Sequence, residues 1–333
     1  MKLVIIGNGF DCAHGLNTSY CKFREYIKNN DIEEYKFLHQ LFGNAYETDE
    51  FWWNFEESLS NFNLSNFTYD LEINNDFQRK NGFEDEDCIK SNKEYFDNHI
   101  FQLKKLFCLW IKEINDNKIS SAKKKDSISE YLNDAVILSF NYTSTIENLY
   151  EKECYHIHGF IDDVDVENGL GIDDIVLGHS YNISFVIDND ENISAENTFA
   201  VLDNGEQIPF ESLSFVKEYD LSNDDAINKT FSDIDCKYEN IFTKRCSNII
   251  EKDEIGFFYY LKNNAATINE VVVLGHSLSN VDKPYFKKIL EILKVKCDPV
   301  KWTVSCYGNN KSTLKNNLRL IDENAEPSFI CIS

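Results

Sequence analysis

Positive charge and long apolar runs are both in short supply. With 33 Lys and Arg against 57 Asp and Glu, the formal net charge is −24, a field that repels a phosphate backbone. Nucleic acid is therefore excluded as the main partner. A small phosphorylated ligand is not, because a few backbone N–H groups can bind an anion locally whatever the total charge. No apolar stretch approaches the roughly 20 residues of a membrane-spanning helix, so no membrane partner is expected. The run Leu3–Ile6, ended by Gly7, is too short for the apolar core of a secretory signal. The ten cysteines include no C-x-x-C pair, so neither a disulfide framework nor a paired zinc module is indicated. The expectation is a cytoplasmic chain with reduced thiols. A Pro/Gly/Ser-rich linker is also missing, which favours one elaborated domain over two.

Core-forming residues are plentiful: 42% of the side chains are hydrophobic, with 25 Phe, 17 Tyr and 4 Trp. Short aliphatic runs at Leu3–Ile6, Ala135–Phe140, Tyr155–Ile157, Ile175–Leu177, Val271–Leu274 and Trp302–Cys306 read as strands covered on both faces, as in a parallel sheet. After Val271–Leu274, Asp282 can cap a helix with Pro284 in its first turn and Phe286, Ile289, Leu290 and Leu293 on one face. This strand, loop, helix order predicts an α/β fold, a Rossmann-like, doubly wound, mostly parallel sheet over residues 1–333. More than a hundred residues separate the first two strands, so an inserted helical module is expected at about 25–130, with helical patterns around Phe51–Phe62 and Tyr95–Ile114. A second insertion is expected at about 181–264, including the acidic Asp188–Glu191 and helices near Glu211–Tyr219 and Tyr238–Ile250. The hexapeptide Ile175-Val-Leu-Gly-His-Ser180 nearly recurs as Val272-Val-Leu-Gly-His-Ser277; with unmatched flanks, it reads as two strands that each end in a glycine turn.

Four segments carry candidate chemistry. In Leu3-Val-Ile-Ile-Gly-Asn-Gly-Phe-Asp11, Gly7 and Gly9 would let the backbone approach a pyrophosphate, but Cys12 stands where the third glycine of the dinucleotide fingerprint belongs. In Ala135–Glu147, Asn141 ends a strand, and Ser144 with Glu147 forms a capping box. An amide there can hold a sugar hydroxyl or a water, or simply stabilise its own turn. In Cys154-Tyr-His-Ile-His-Gly159, alternation puts Cys154, His156 and His158 on one face, so a metal site competes with other readings. His158, last before the glycine, is expected to be exposed at the sheet end, where an imidazole with an unperturbed pKa of about 6.5 accepts a proton. His156 is expected to pack in the core. In Gly275-His-Ser-Leu-Ser-Asn-Val-Asp282, Ser277 and the loop N–H groups can bind ribose or phosphate oxygens, while Asp282 reads as a helix cap.

Taken together, Gly7-Asn-Gly-Phe-Asp-Cys-Ala-His-Gly-Leu-Asn-Thr-Ser-Tyr20, Phe140-Asn-Tyr-Thr-Ser-Thr-Ile-Glu147, His156-Ile-His-Gly159 and Gly275–Asp282 resemble the AbiH family of bacterial phage abortive-infection proteins. That family in turn resembles the sirtuin-like NAD-binding fold at the same points. The resemblance implies NAD as substrate, Asn141 and His158 as the catalytic pair, and a bacterial cytoplasmic location. Gly7, Asn8, Gly9 and Asp11 would then hold the phosphate and ribose region, with Gly275 and Ser277 opposite; Tyr142, His156, His276 and Asp282 complete the nucleotide-binding set. The sequence departs from the sirtuin pattern in having Gly-Asn-Gly-Phe-Asp for Gly-Ala-Gly-x-Ser, and Thr143 where relatives often carry Asp.

The expectation that follows is a hydrolase splitting NAD into nicotinamide and ADP-ribose, with no metal or further cofactor. Because such an enzyme must be silent until infection, a homo-oligomer and a phage-derived trigger or defence partner protein are expected. Two alternatives remain open: a metal-dependent phosphoesterase or nuclease built on Cys154, His156, His158, His179 and His276, and a non-catalytic sensor of NAD or ADP-ribose.

Overall fold

Alternation within Lys2–Ile6 puts Leu3 and Ile5 on one side of the strand and Val4 and Ile6 on the other, and all four are fully buried. A strand like this needs a core on each face, and the computed structural model supplies both. It describes residues 1–59, 85–178, 184–187, 198–201, 207–209, 249–250, 256–295 and 299–332, over 85–94, 184–187, 198–201 and 207–209 as backbone alone. The strands are β1 (Lys2–Ile6), β2 (Ala135–Ser139), β3 (Tyr155–His156), β4 (Ser184–Ile187), β5 (Thr198–Val201), β6 (Gln207–Pro209), β7 (Glu270–Leu274), β8 (Lys301–Cys306) and β9 (Ser328–Cys331). The helices are α1 (Asn8–Ala13), α2 (Tyr20–Asn30), α3 (Ile32–Phe42), α4 (Asp49–Trp53), α5 (Phe55–Ser58), α6 (Asp85–Lys118), α7 (Asp126–Leu132), α8 (Thr145–Tyr150), α9 (Phe257–Asn264), α10 (Lys283–Lys294) and α11 (Lys311–Arg319).

Six strands form one sheet in the order β3-β2-β1-β7-β8-β9, and every neighbouring pair is parallel. Counting these six alone, the order is 3-2-1-4-5-6, that of a Rossmann-like doubly wound sheet, with the chain reversing direction across the sheet between β1 and β7. Lys2 lies opposite both Ala135 and Glu270, and Ile6 opposite Ser139 and Leu274, so the three central strands end level with one another. One core packs Leu3, Ile5, Val271 and Val273 against α9, α10 and α11. The other packs Val4, Ile6, Val272 and Leu274 against α1, α7 and α8. On α10, Phe286, Ile289 and Leu293 are all buried, each contributing roughly 1.5–3 kcal/mol by leaving water.

The chain divides into two compact units: residues 1–23, 105–176 and 246–333, which hold the large sheet, and residues 24–104 and 177–245. The stretches read from the sequence as insertions supply the second unit, except that residues 105–130 and 246–264 fall in the first. In the second unit, Tyr46, Phe51, Trp52 and Phe55 pack ring against ring, and the indole of Trp52 donates to the Tyr46 carbonyl at 2.8 Å. Strands β4, β5 and β6 form a separate antiparallel sheet. Among the described residues no helix is long and apolar enough to cross a membrane.

Three expectations need correction. Ile175–Leu177 is not a strand: it follows a short 3₁₀ turn at Ile172–Asp174, and Val176 N–H donates to the His158 carbonyl without forming a ladder. Ile175 and Leu177 are apolar because they are buried, which periodicity alone does not distinguish from strand. Only the second copy of the hexapeptide is therefore built on a strand. The pattern at Phe51–Phe62 breaks at Asn54 into α4 and α5, and 60–62 lie outside the described residues. So do Asp188–Glu191, Glu211–Tyr219 and Tyr238–Ile250 up to residue 248, and His179 with them.

Candidate functional site

The candidate residues gather at the carboxyl ends of β1, β2 and β7. Gly7 N–H donates to the Leu274 carbonyl at 3.0 Å and Gly9 N–H to the Gly275 carbonyl at 2.7 Å. A Cβ on Gly7 would lie 2.7 Å from His276 Cα, and one on Gly9 2.8 Å from the Gly275 oxygen. These glycines let two loops touch backbone to backbone, a use of glycine that sequence reading assigned to a pyrophosphate. Asn8 donates through Nδ2 to the Thr18 carbonyl at 2.8 Å.

Asp11 is 1% exposed. Thr143 donates its hydroxyl to Asp11 Oδ2 at 2.7 Å, and Thr145 donates to Thr143 at 3.0 Å. Asp11 Oδ1 is buried with no hydrogen-bond partner among the described residues. Burial pushes this carboxyl up to about 6, against the pull of the Thr143 and Thr145 hydroxyls and the Asn141 amide. Next along the sheet, Asn141 is buried and donates through Nδ2 to the Gly7 carbonyl at 3.1 Å. Its neighbour Tyr142 donates its hydroxyl to the Val176 carbonyl at 2.8 Å.

A second cluster lies at the β7 end. His158 Nε2 is 3.5 Å from Asp282 Oδ1, and His276 Nε2 is 3.2 Å from Asp282 Oδ2. His276 Nδ1 accepts the Leu278 N–H at 2.9 Å, which places the ring's proton on Nε2, facing the carboxylate. Leu278 itself adopts a left-handed φ of 56°, a strain of the kind that collects around functional loops. Removing the shared carboxylate by Asp282→Ala is expected to lower stability by about 2 kcal/mol, read as a shift of the urea midpoint; an unchanged midpoint would show that the imidazoles do not depend on it.

The expected exposure of His158 is not found. It is 2% exposed, with Phe140, Tyr142 and Tyr285 ring centroids 5.1, 6.2 and 5.5 Å away. The backbone leaves β3 after His156, so the alternation that would have exposed a strand-end imidazole no longer applies. For the same reason Cys154, His156 and His158 do not form one ligand set. His156, its side chain 8% exposed, lies beside Cys154 and Glu147. Ser277 is exposed, and its carbonyl accepts from Asn317.

The profile of the bacteriophage abortive infection AbiH family matches residues 3–306, nearly the whole chain and all the segments above. The chain belongs to the AbiH family. Its role is therefore in phage abortive infection. No curated protein and no solved structure matches it.

Sequence reading placed two carboxylates of this AbiH chain at helix caps, with Asp282 also in the nucleotide-binding set that the resemblance implies, and missed the side chains they meet. Asp282 occupies the N-cap position of α10, and Ser144 that of α8, yet neither side chain caps its helix. The carboxylate of Asp282 meets two imidazoles, and Glu147, expected to reach back toward Ser144, meets His156 and Cys154 instead. A further residue the sequence left unremarked, His14, donates through Nδ1 to the Phe10 carbonyl and accepts the Tyr150 hydroxyl at Nε2, both at 2.7 Å. Those bonds tie α1 to α8 and leave the ring no capacity for chemistry.

Proposed function

We propose that this AbiH chain acts in abortive infection by cleaving the nicotinamide N-glycosidic bond of NAD, through a sirtuin-like site at the carboxyl ends of β1, β2 and β7. The observation that carries the reading is the Asp11–Thr143 hydrogen bond. The two departures from the sirtuin pattern, Asp for Ser after the glycine turn and Thr for Asp after Asn-Tyr, meet each other at 2.7 Å. Both departures therefore fall within one buried site at the carboxyl ends of β1 and β2. Burying Asp11, Asn141, His158, His276 and Asp282 together is also costly for a site with no use beyond packing.

In the reaction, the bond from ribose C1′ to the pyridinium nitrogen breaks, nicotinamide leaves neutral, and water forms the new C1′–O bond. Asn141 positions the water or a ribose hydroxyl, and His158, held by Asp282, accepts the proton. The Gly7–Gly9 turn, Asp11, Tyr142, His156, Gly275, His276 and Ser277 surround the dinucleotide. With His158 enclosed by aromatic rings, turnover requires a prior opening, suited to an enzyme kept silent until assembly or a phage component releases it.

The test is mass spectrometry of NAD, nicotinamide and ADP-ribose in phage-infected cells expressing this chain. NAD is expected to collapse with both products appearing, and Asn141→Ala or His158→Ala to cut the loss at least 100-fold. Infection that is aborted while NAD stays constant would reject the reading. The enclosure of His158 favours, as the second reading, a sensor that holds NAD or ADP-ribose without cleaving it; nucleotide recovered intact from the purified chain would support that one.

A further inference from the structure

At the edge of the large sheet, three side chains bring their donor atoms to one point. Cys154 Sγ lies 3.0 Å from Glu147 Oε1 and 3.2 Å from His156 Nε2, and His156 Nε2 lies 3.0 Å from Glu147 Oε1. Alternation puts Cys154 and His156 on the same side of the chain, and the first turn of α8 brings Glu147 over them. From these residues we infer a binding site for one borderline-soft divalent cation, with zinc as the best match.

The donor set is the first support. His156 Nδ1 donates to the Asn141 carbonyl at 2.9 Å, which turns Nε2 toward Glu147 Oε1 and Cys154 Sγ. Glu147 Oε2 is buried, with no hydrogen-bond partner among the described residues, so the carboxylate keeps ligand capacity that these contacts leave unused. A cation at the shared point uses it; the sulfur–metal bond forms as the thiol proton, with any proton on Nε2, leaves to water.

Geometry is the second. The point equidistant from the three atoms lies about 1.8 Å from each in their plane, so an ion at zinc's bond lengths of about 2.0–2.3 Å sits roughly 1 Å out of that plane, with one position open. The ring of His156 is fixed on both sides, by its bond to the Asn141 carbonyl and by stacking on Phe160 at 4.2 Å, the kind of outer support that ligating histidines have. Thiolate with imidazole selects zinc or cobalt over magnesium or calcium. The proposal departs from the metal-free expectation drawn from the sequence and does not rest on the NAD reading.

The full chain, stripped with a chelator and titrated with Co(II), is expected to take up one equivalent with a sulfur-to-cobalt charge-transfer band in the near ultraviolet, and to release it to Zn(II). Cys154→Ala is expected to abolish the band, and Glu147→Gln to keep it while weakening cobalt affinity at least tenfold, with circular dichroism checking that each variant is folded. Absence of uptake by the wild-type chain, as for a plain Glu147–His156 ion pair, overturns the proposal, and so does a band that survives in folded Cys154→Ala. Should Cys154→Ala fail to fold, an unchanged cobalt affinity in Glu147→Gln overturns it alone.

Discussion

Gly275→Ala is expected to lower stability by more than about 4 kcal/mol, or to leave no folded protein, a loss that few single substitutions reach. Gly275 has a φ of +70°, and an added Cβ would lie 2.0 Å from Phe10 N and 2.4 Å from Gly9 C. Both are backbone atoms that no rotamer change moves aside. Relief would require parting the loops after β1 and β7, breaking the Gly9 N–H to Gly275 carbonyl bond and opening the sheet where its strand order reverses. Gly15→Ala is the control: its φ is +81°, with nothing within 4 Å of the added carbon, so it should cost only about 1 kcal/mol for the left-handed backbone. Denaturant unfolding followed by tryptophan fluorescence compares the two, and equal losses would refute the loop-against-loop contact.

Asp11→Asn is expected to gain about 2 kcal/mol on the wild-type chain as pH rises from 4 to 7. Burial raises the folded-state pKa of Asp11 from 3.8 to about 6. Below the unfolded value the carboxyl is protonated in both states and costs nothing. Between there and the folded value the unfolded chain ionises first, so the stability present in acid is lost by about pH 6. Asparagine carries no such titration. The difference between the two urea midpoints should therefore grow across that window and stay level above it; a flat difference would show that Asp11 is solvated in the folded chain. A carboxyl that titrates near neutrality is also suited to proton transfer, which is why Asp11 belongs in any activity series with Asn141 and His158.

The central strands were legible because burial on both faces leaves an unbroken aliphatic run, as in Lys2–Ile6 and Glu270–Leu274. The edge strand Ser328–Cys331 was not, since its side chains remain partly exposed and its apolar signal is short. Ile175–Leu177 shows the opposite error, buried yet irregular. Among site residues, Asn141 and Gly275 were found by their place at strand ends, where open sheets gather ligands. Asp282 was found through the family resemblance, but the partners of Asp282 and Glu147, which are His158, His276, His156 and Cys154, were hidden by the plausibility of both residues as caps.

Composition, apolar periodicity and the glycine turns were enough, without coordinates, to establish an α/β chain with a parallel sheet, since these express how each short segment meets water and its own backbone. Which imidazole met which carboxylate, that His158 is enclosed, and that Gly9 and Gly275 face one another were settled only by tertiary packing. The physical reason is range for Gly9 with Gly275 and His158 with Asp282, each pair separated by more than a hundred positions, and orientation for closer pairs such as His276 with Asp282 and His156 with Glu147, whose side chains meet only once the sheet has aligned its strand ends.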